Sequence, residues 1–496
     1  MSFIPLFTII PLAAAFVISL IGKKLKGVGG AIAAFSTAAL VVVSVYACFA
    51  VKNAGLLVYE VGGWVPPIGI SMVLDGFASF MLITVNVIAF LVTVYSINYM
   101  DRYTAKWNFY TLFMLMLAGM NGVIITGDMF NLFVFLEIAS IASYALVAFG
   151  VEREELEAAF KYMVMGTVAS CFILVAIALL YSHTSTLNMA DMAVALTERP
   201  AGYLLAFVSV LFIMGFGLKA ALVPFHAWLP DAHPSAPAPI SAMLSGVFIK
   251  TLGIYALARI LFNVFGMSEM LSSILMVLGV LSMIIGVFLA VGQWDLKRLL
   301  AYHSISQVGY IMLGLGLATP LGILGGLFHL LNHSVFKSLL FLNSGAIDYA
   351  LNTRDLKKMG GLRQVMPTTA NTSFVASMSI AGIPPFNGFW SKFIIIIACI
   401  QAGRPVFAVW AVIGSILTLA SFMKVQKYAF FGTLRDELKN IKEVPLSMRL
   451  AMAVLALLCI FGGVLLAPVL KSAFLDIATQ ALVIGKEYAI VVLGKI

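Results

Sequence analysis

Gly217-Leu218-Lys219-Ala220-Ala221-Leu222-Val223-Pro224-Phe225-His226-Ala227-Trp228-Leu229-Pro230 closes a long apolar segment that begins near Ala201. A lysine sits inside that segment. Five residues later Pro224 removes a backbone N–H and clashes with the carbonyl of Ala220. In lipid an unsatisfied backbone group costs several kcal/mol, so a break at this depth is buried in protein or faces water. A lysine at the centre of a bilayer costs about 2.5–3.5 kcal/mol on insertion scales. Two costs coincide in one short stretch. A kinked helix whose lysine snorkels to the surface would explain them, and so would an ion site at a broken helix. The rest of the chain decides between these.

The 496 residues are 62% hydrophobic and only 10% charged. A soluble domain is about 45–50% apolar and about 25% charged, so this composition describes a polytopic membrane protein. The net charge of +9 then belongs to lysines and arginines in cytoplasmic loops rather than to a nucleic-acid surface. Cys48, Cys171, Cys399 and Cys459 are scattered through apolar segments with no CxxC pair, which supports neither a disulfide framework nor a metal cluster. Met1 to Ile21 lacks a basic head, and Lys23, Lys24 and Lys26 follow it. It reads as a retained first helix.

A spanning helix needs about 20 mostly apolar residues. Fourteen such spans are expected, at 3–22, 29–51, 74–99, 107–126, 129–149, 157–181, 202–229, 237–264, 270–292, 298–317, 320–348, 369–402, 406–431 and 449–472. The seventh and twelfth contain internal prolines. Residues 472–496 read as an interfacial helix or a fifteenth span. Loop charge tests this arrangement. Nineteen lysines and arginines follow odd-numbered spans, among them Lys26, Arg153 and Lys297, against seven on the other side, among them Arg259 and Lys495. By the positive-inside rule the odd loops are cytoplasmic and both termini lie outside the cell membrane.

The seventh span reads Val223-Pro224-Phe225-His226 and the twelfth Pro384-Pro385-Phe386-Asn387-Gly388-Phe389-Trp390-Ser391-Lys392. Both are broken by Pro-Phe beside a lysine, five spans apart. An odd offset reverses direction, as in inverted repeats whose interrupted helices mark a transport site. The expected fold is therefore all-α, with a three-helix segment at 1–106, a five-helix repeat at 107–264, its inverted copy at 270–431 and C-terminal helices at 449–496. Pro224, Pro384 and Pro385 mark the helix breaks. Water or a side chain is expected at the carbonyls of Ala220 and Ala381, four residues before Pro224 and Pro385.

Buried ionisable residues follow the same plan. Glu137 lies within the fifth span, Lys250 some thirteen residues from each end of the eighth, and Lys392 just past the second break. In the eleventh span His329, His333 and Lys337 recur every four residues, which places them on one helix face. Two histidines at that spacing could ligate a metal, but no further ligand accompanies them at ligand spacing. A satisfied core histidine and a proton-exchanging face both remain open. One carboxylate, four lysines and two histidines bridged by water would form a proton relay. The sequence holds no nucleophile–base constellation, no phosphate-cradling glycine loop and no cofactor motif, so neither an active site of its own nor a cofactor is expected.

The stretch from Gln293 to Tyr310, together with Pro224 to Pro230, resembles the antiporter-like subunits shared by respiratory complex I, Mrp-type sodium/proton antiporters and membrane-bound hydrogenases. The length and the Asp128–Glu137 stretch look most like the D subunit of Mrp antiporters and its hydrogenase relatives. The resemblance implies two half-channels joined by a polar axis at mid-membrane. It assigns the fifth-helix glutamate to Glu137, the seventh- and eighth-helix lysines to Lys219 and Lys250, the eleventh-helix pair to His333 and Lys337, and the twelfth-helix terminus to Lys392. Gln307 stands where some relatives carry histidine. The implied function is proton translocation, with or without coupling to sodium, inside a complex of other membrane subunits and lipid. A structural anchor subunit and a quinone-binding subunit of an oxidoreductase are the alternatives.

Overall fold

Several apolar runs become helices where a short polar side chain stands at their head. Asp75 accepts from the Ala78 N–H at 2.8 Å, Asp128 from Asn131 at 2.7 Å and Asp295 from Arg298 at 2.8 Å. Each oxygen satisfies a donor that the first helical turn leaves free. The computed structural model describes residues 3–25 and 27–494. Lys26 and Lys495, counted above among the loop charges, lie outside the described residues.

The helices run in the order α1 (Leu6–Ile21), α2 (Val28–Ala54), α3 (Gly76–Tyr99), α4 (Lys106–Ile125), α5 (Met129–Val147), α6 (Arg153–Thr184), α7 (Met189–Glu198), α8 (Gly202–Lys219) and α9 (Leu229–Ser235). There follow α10 (Ala238–Phe265), α11 (Glu269–Val291), α12 (Leu296–Gly316), α13 (Pro320–Leu351), α14 (Pro367–Ala381), α15 (Asn387–Gln401), α16 (Pro405–Phe430), α17 (Leu446–Leu466), α18 (Asp476–Val483) and α19 (Glu487–Val492). A small antiparallel hairpin, β1 (Leu57–Glu60) and β2 (Ser71–Leu74), pairs Leu57 with Leu74 and precedes α3. Among the described residues nine helices are long and apolar enough to cross a membrane: α2 to α6, α10, α11, α16 and α17. Of the five other expected spans, α1 is short, α12 and α13 are more polar, and two are interrupted, as α8–α9 and α14–α15.

Residues 471–492 are divided among short helices around Gly485, whose φ of +56° ends one of them, so no single helix of spanning length forms there. The eighth expected span is helical throughout but contains π-turns at Leu244–Phe248, Lys250–Tyr255 and Arg259–Phe265. Such turns often accompany functional sites. Two residues counted with the loops are buried. Arg259 makes two bonds to Asp75, at 2.7 and 2.8 Å, and Lys297 donates to the Ala236 carbonyl at 2.8 Å.

Burial is deepest at α10, whose apolar window is wholly buried, and along α13 from Gly322 to Ile347. These two helices carry Lys250, His329, His333 and Lys337, all buried. Close packing around them uses glycine: a Cβ on Gly279 of α11 would lie 2.8 Å from the carbonyl oxygen of Gly309 in α12.

Two matching staples hold the heads of α5 and α12. Asp128 pairs with Asn188 and Asp295 with Asp355 in isolated antiparallel bridges, both across a sixty-residue separation. Met129 N–H donates to Leu187 at 2.8 Å and Leu296 N–H to Arg354 at 2.9 Å. Thr186 and Thr353 accept from the N–H of Asn188 and Asp355, each at 3.3 Å. One local structure thus occurs twice, at the start of helices five expected spans apart.

Candidate functional site

Lys219 is the last residue of α8, so its ammonium sits at the negative end of the helix dipole, where a cation is favoured. It is 3% exposed. Its Nζ donates to Ser140 Oγ at 2.9 Å and to the Tyr144 hydroxyl at 3.4 Å, and lies 3.8 Å from Glu137 Oε1. Glu137 also accepts from the Ser170 hydroxyl and is half-buried. The spacing of Glu137, Ser140 and Tyr144 along α5 places all three on the side facing α8. The pair can exchange a proton without either partner leaving protein.

A second cluster lies on α10, α13 and α15. Lys250 turns back along α10 and donates to the carbonyls of Ser245 and Gly246, both at 2.6 Å. Lys337 donates to the Leu300 carbonyl at 2.5 Å. Lys392 donates to the Ile380 carbonyl at 2.8 Å, with its ammonium 4.6 Å from the centre of the Tyr310 ring. His329 Nδ1 lies 2.9 Å from Ser391 Oγ, and its ring stacks on His333 at 6.3 Å. Both nitrogens of His333 and Nε2 of His329 are buried without a protein partner. All three lysines here are satisfied by backbone carbonyls rather than carboxylates. Among the described residues no hydrogen bond or ion pair joins Lys219 to Lys250. The two clusters approach where Ala220, next to Lys219, packs against Gly253 of α10, while within the second cluster Ser245 of α10 meets Ser304 of α12 at 2.6 Å, between the groups that hold Lys250 and Lys337. No group of three or more metal-ligating side chains is found among the described residues.

Of the two interrupted helices, α8 stops at Lys219 and α14 at Ala381. The carbonyls that gain side-chain partners differ from those expected. Trp228 Nε1 donates to Leu218 at 2.9 Å, and Lys392 donates to Ile380 rather than Ala381. The reason is that each helix ends on its own cap before the proline is reached. Ala221, at φ +56°, and Gly382, at φ +80°, turn the chain out of the helix. Ser282 Oγ then accepts the Val223 N–H at 2.9 Å. Pro224, Pro384 and Pro385 are exposed on the surface of this chain.

Two histidines and one ion pair escaped the sequence reading. His233 and His303 are wholly buried. His303 Nε2 lies 2.8 Å from Ser421 Oγ, and neither nitrogen of His233 has a protein partner. His233 stands in Asp231-Ala232-His233-Pro234-Ser235-Ala236-Pro237, which reads as a loop because prolines follow it. The Asp75–Arg259 pair was missed because Arg259 lies near a predicted span end, although an aspartate directly before a spanning run was a usable sign.

Residues 126–418 match the family model described as NADH:quinone oxidoreductase/Mrp antiporter, transmembrane, and residues 64–110 match that of the NADH-ubiquinone oxidoreductase (complex I) chain 5 N-terminus. The chain is 39% identical over 414 residues to the D-type component of the Na(+)/H(+) antiporter of Alkalihalophilus pseudofirmus, covering 83% of this chain and 84% of that one. It is 40% identical over 377 residues to the N-type component of the NADH-quinone oxidoreductase of Desulforudis audaxviator, covering 75% of each. Its fold matches a chain of the Mrp complex from a Dietzia species with a TM-score of 0.92, at 29% identity and 99% coverage of both chains. With a family model spanning more than half its length and its whole fold superimposable on such a protein, this chain belongs to the membrane-subunit family common to NADH:quinone oxidoreductases and Mrp antiporters.

Proposed function

We propose that this chain is the proton-translocating subunit of a multi-subunit membrane antiporter of the Mrp type, with protons passing along the row Glu137, Lys219, Lys250, Lys337, His333, His329 and Lys392. The observation that carries this reading is the pair of buried Lys219 with half-buried Glu137 at the end of an interrupted helix. A structural anchor has no need of it, since apolar residues of similar volume serve stability as well as a buried ion pair or better. Beyond Lys250 the row holds amines and imidazoles without a carboxylate. Like charges at short range repel strongly in a low-dielectric interior. A proton arriving at one amine therefore tends to drive a proton off the next, which is how a signal travels without a continuous water wire.

The matched staples at Asp128–Asn188 and Asp295–Asp355 support reading 107–264 and 270–431 as inverted halves. The exposed breaks at Pro224 and at Pro384 and Pro385 support burial against other subunits, because irregular backbone is not left facing lipid. Sodium enters this reading only through the names of relatives. Both termini are placed outside by loop charge. The test is proton flux in vesicles holding the assembled complex. Lys219→Ala should abolish it while leaving the subunits associated, and full retention would assign the chain a structural role.

A further inference from the structure

Where the C-terminal ends of α11 and α16 meet, five basic side chains gather around aromatic rings. The Lys357 and Lys424 ammoniums lie 4.9 and 5.0 Å from the centre of the Trp294 ring. Tyr428 packs edge-on against that ring at 5.1 Å, and Lys427 lies 5.6 Å from the centre of Tyr428. Arg363 lies 5.5 Å from the centre of the Phe431 ring, and the Phe431 carbonyl accepts the Gly361 N–H at 3.2 Å. Arg435 donates to the Lys357 carbonyl, which closes the group. Lys424 also donates to the Val291 and Gln293 carbonyls at 2.7 and 2.6 Å, so it ties the end of α11 to α16.

Among the described residues none of these five cations makes an ion pair. The carboxylates nearby in the chain are engaged elsewhere. Asp355 accepts the Lys357 N–H at 2.9 Å, Asp295 pairs with Arg354 at 3.4 Å, Asp436 with Lys439 at 2.7 Å, and Glu443 accepts from Thr369 at 2.7 Å. Unpaired cations held together repel one another, and an anion from outside the chain relieves that repulsion. One turn and more into α11 and α16 the surface becomes apolar. Phe288, Leu289 and Val291 on α11 are exposed, as are Ile416 and Met423 on α16. Both helices are long and apolar enough to cross a membrane.

We propose that this corner binds an anionic phospholipid, its phosphate held by the cations around Trp294 and its chains lying along the exposed faces of α11 and α16. A phosphate takes charge-assisted hydrogen bonds from ammonium and guanidinium groups. Basic pockets between the ends of spanning helices hold anionic headgroups in this way, and tryptophan and tyrosine favour that depth. The positive-inside rule accounts for basic residues on one side of the membrane. It does not require them to share aromatic rings, nor to stand apart from carboxylates. The apolar strip beside the cations selects a lipid over a free anion, because only a lipid covers both. The same corner carries the staple at the head of α12, where the Trp294 carbonyl accepts the Leu356 N–H at 3.0 Å. A lipid bound there steadies the second half of the protein.

The experiment is thermal melting of the assembled, delipidated complex in detergent, titrated with phosphatidylglycerol, phosphatidylcholine or glycerol 3-phosphate. Wild type is compared with Lys427→Gln, with the triple variant Lys357→Gln, Arg363→Gln and Lys427→Gln, and with Arg404→Gln. Arg404 is exposed at the opposite end of α16. Lys424 is left in place because it holds α11. Phosphatidylglycerol should raise the melting temperature of wild type and of Arg404→Gln at the same concentration. Lys427→Gln should need about five-fold more, the scale of one basic residue at an anionic surface, and the triple variant at least about ten-fold more. Phosphatidylcholine and glycerol 3-phosphate should leave the melting temperature unchanged. An equal rise with phosphatidylcholine, or a wild-type response in the triple variant, overturns the proposal. So does the same rise with glycerol 3-phosphate, which would make the corner a site for a free anion. Loss of another subunit from the purified triple variant also overturns it, and assigns the corner to a protein contact.

Discussion

At the scale of single residues, the account turns on how buried charges are held. Glu137 and Lys219 are a pair, and removing either partner strands the other. For a fully buried pair that costs about 3–5 kcal/mol; Glu137 is half-buried and keeps Ser170 as a donor, so Lys219→Ala should cost less. Its effect on transport should be larger than its effect on stability, which thermal melting and proton flux on one preparation will separate. Arg259→Ala should behave in the opposite way. It strands the Asp75 carboxylate, which is buried and bonded to both guanidinium arms. A loss of about 3–5 kcal/mol is expected, read as lower abundance of the assembled complex. The four lysines were legible in the sequence because a charge within a long apolar span is rare and costly. His233 was not, because depth cannot be read from a segment punctuated by proline, and the tertiary contact with Phe341 that defines it joins residues more than a hundred positions apart.

At the scale of elements, the interrupted helices matter more than their prolines. The reading from sequence expects Pro224→Ala to restore the helix in part and to slow transport. In the structure the break runs from Ala220 to Trp228 and is held by Ser282 on Val223 and by Trp228 on Leu218 as well. Trp228→Phe should therefore matter more than Pro224→Ala. It keeps an aromatic ring to stack on Tyr162 at 4.3 Å but removes one of the two donors to the Leu218 carbonyl, leaving the Ala221 N–H at 3.1 Å. Losing one hydrogen bond costs about 0.5–1.5 kcal/mol, so the melting temperature of the complex should fall further with Trp228→Phe than with Pro224→Ala. Helix existence was legible from apolar length, and the breaks from Pro-Phe. The π-turns of α10 were not, because a change of hydrogen-bond register by one residue leaves no mark in composition. Nor were the two staples, whose partners are local only after the helices have folded.

At the scale of the whole molecule, family, helical fold and membrane character were all open to sequence reasoning, since 62% apolar composition admits few alternatives. The proposed orientation rests on loop charge alone. A cysteine placed at Lys439, in the exposed stretch between α16 and α17, should react with an impermeant thiol reagent only from the cytoplasmic side. Labelling from outside would invert the assignment. The central claim, that the two clusters form one proton path, is tested most directly by disabling its two ends in turn. Glu137→Gln and Lys392→Met should each abolish proton uptake by vesicles of the assembled complex, although the residues lie in different clusters that share no direct bond. Uptake at the wild-type rate in Lys392→Met, with Glu137→Gln inactive, would contradict a single path through both halves of the protein.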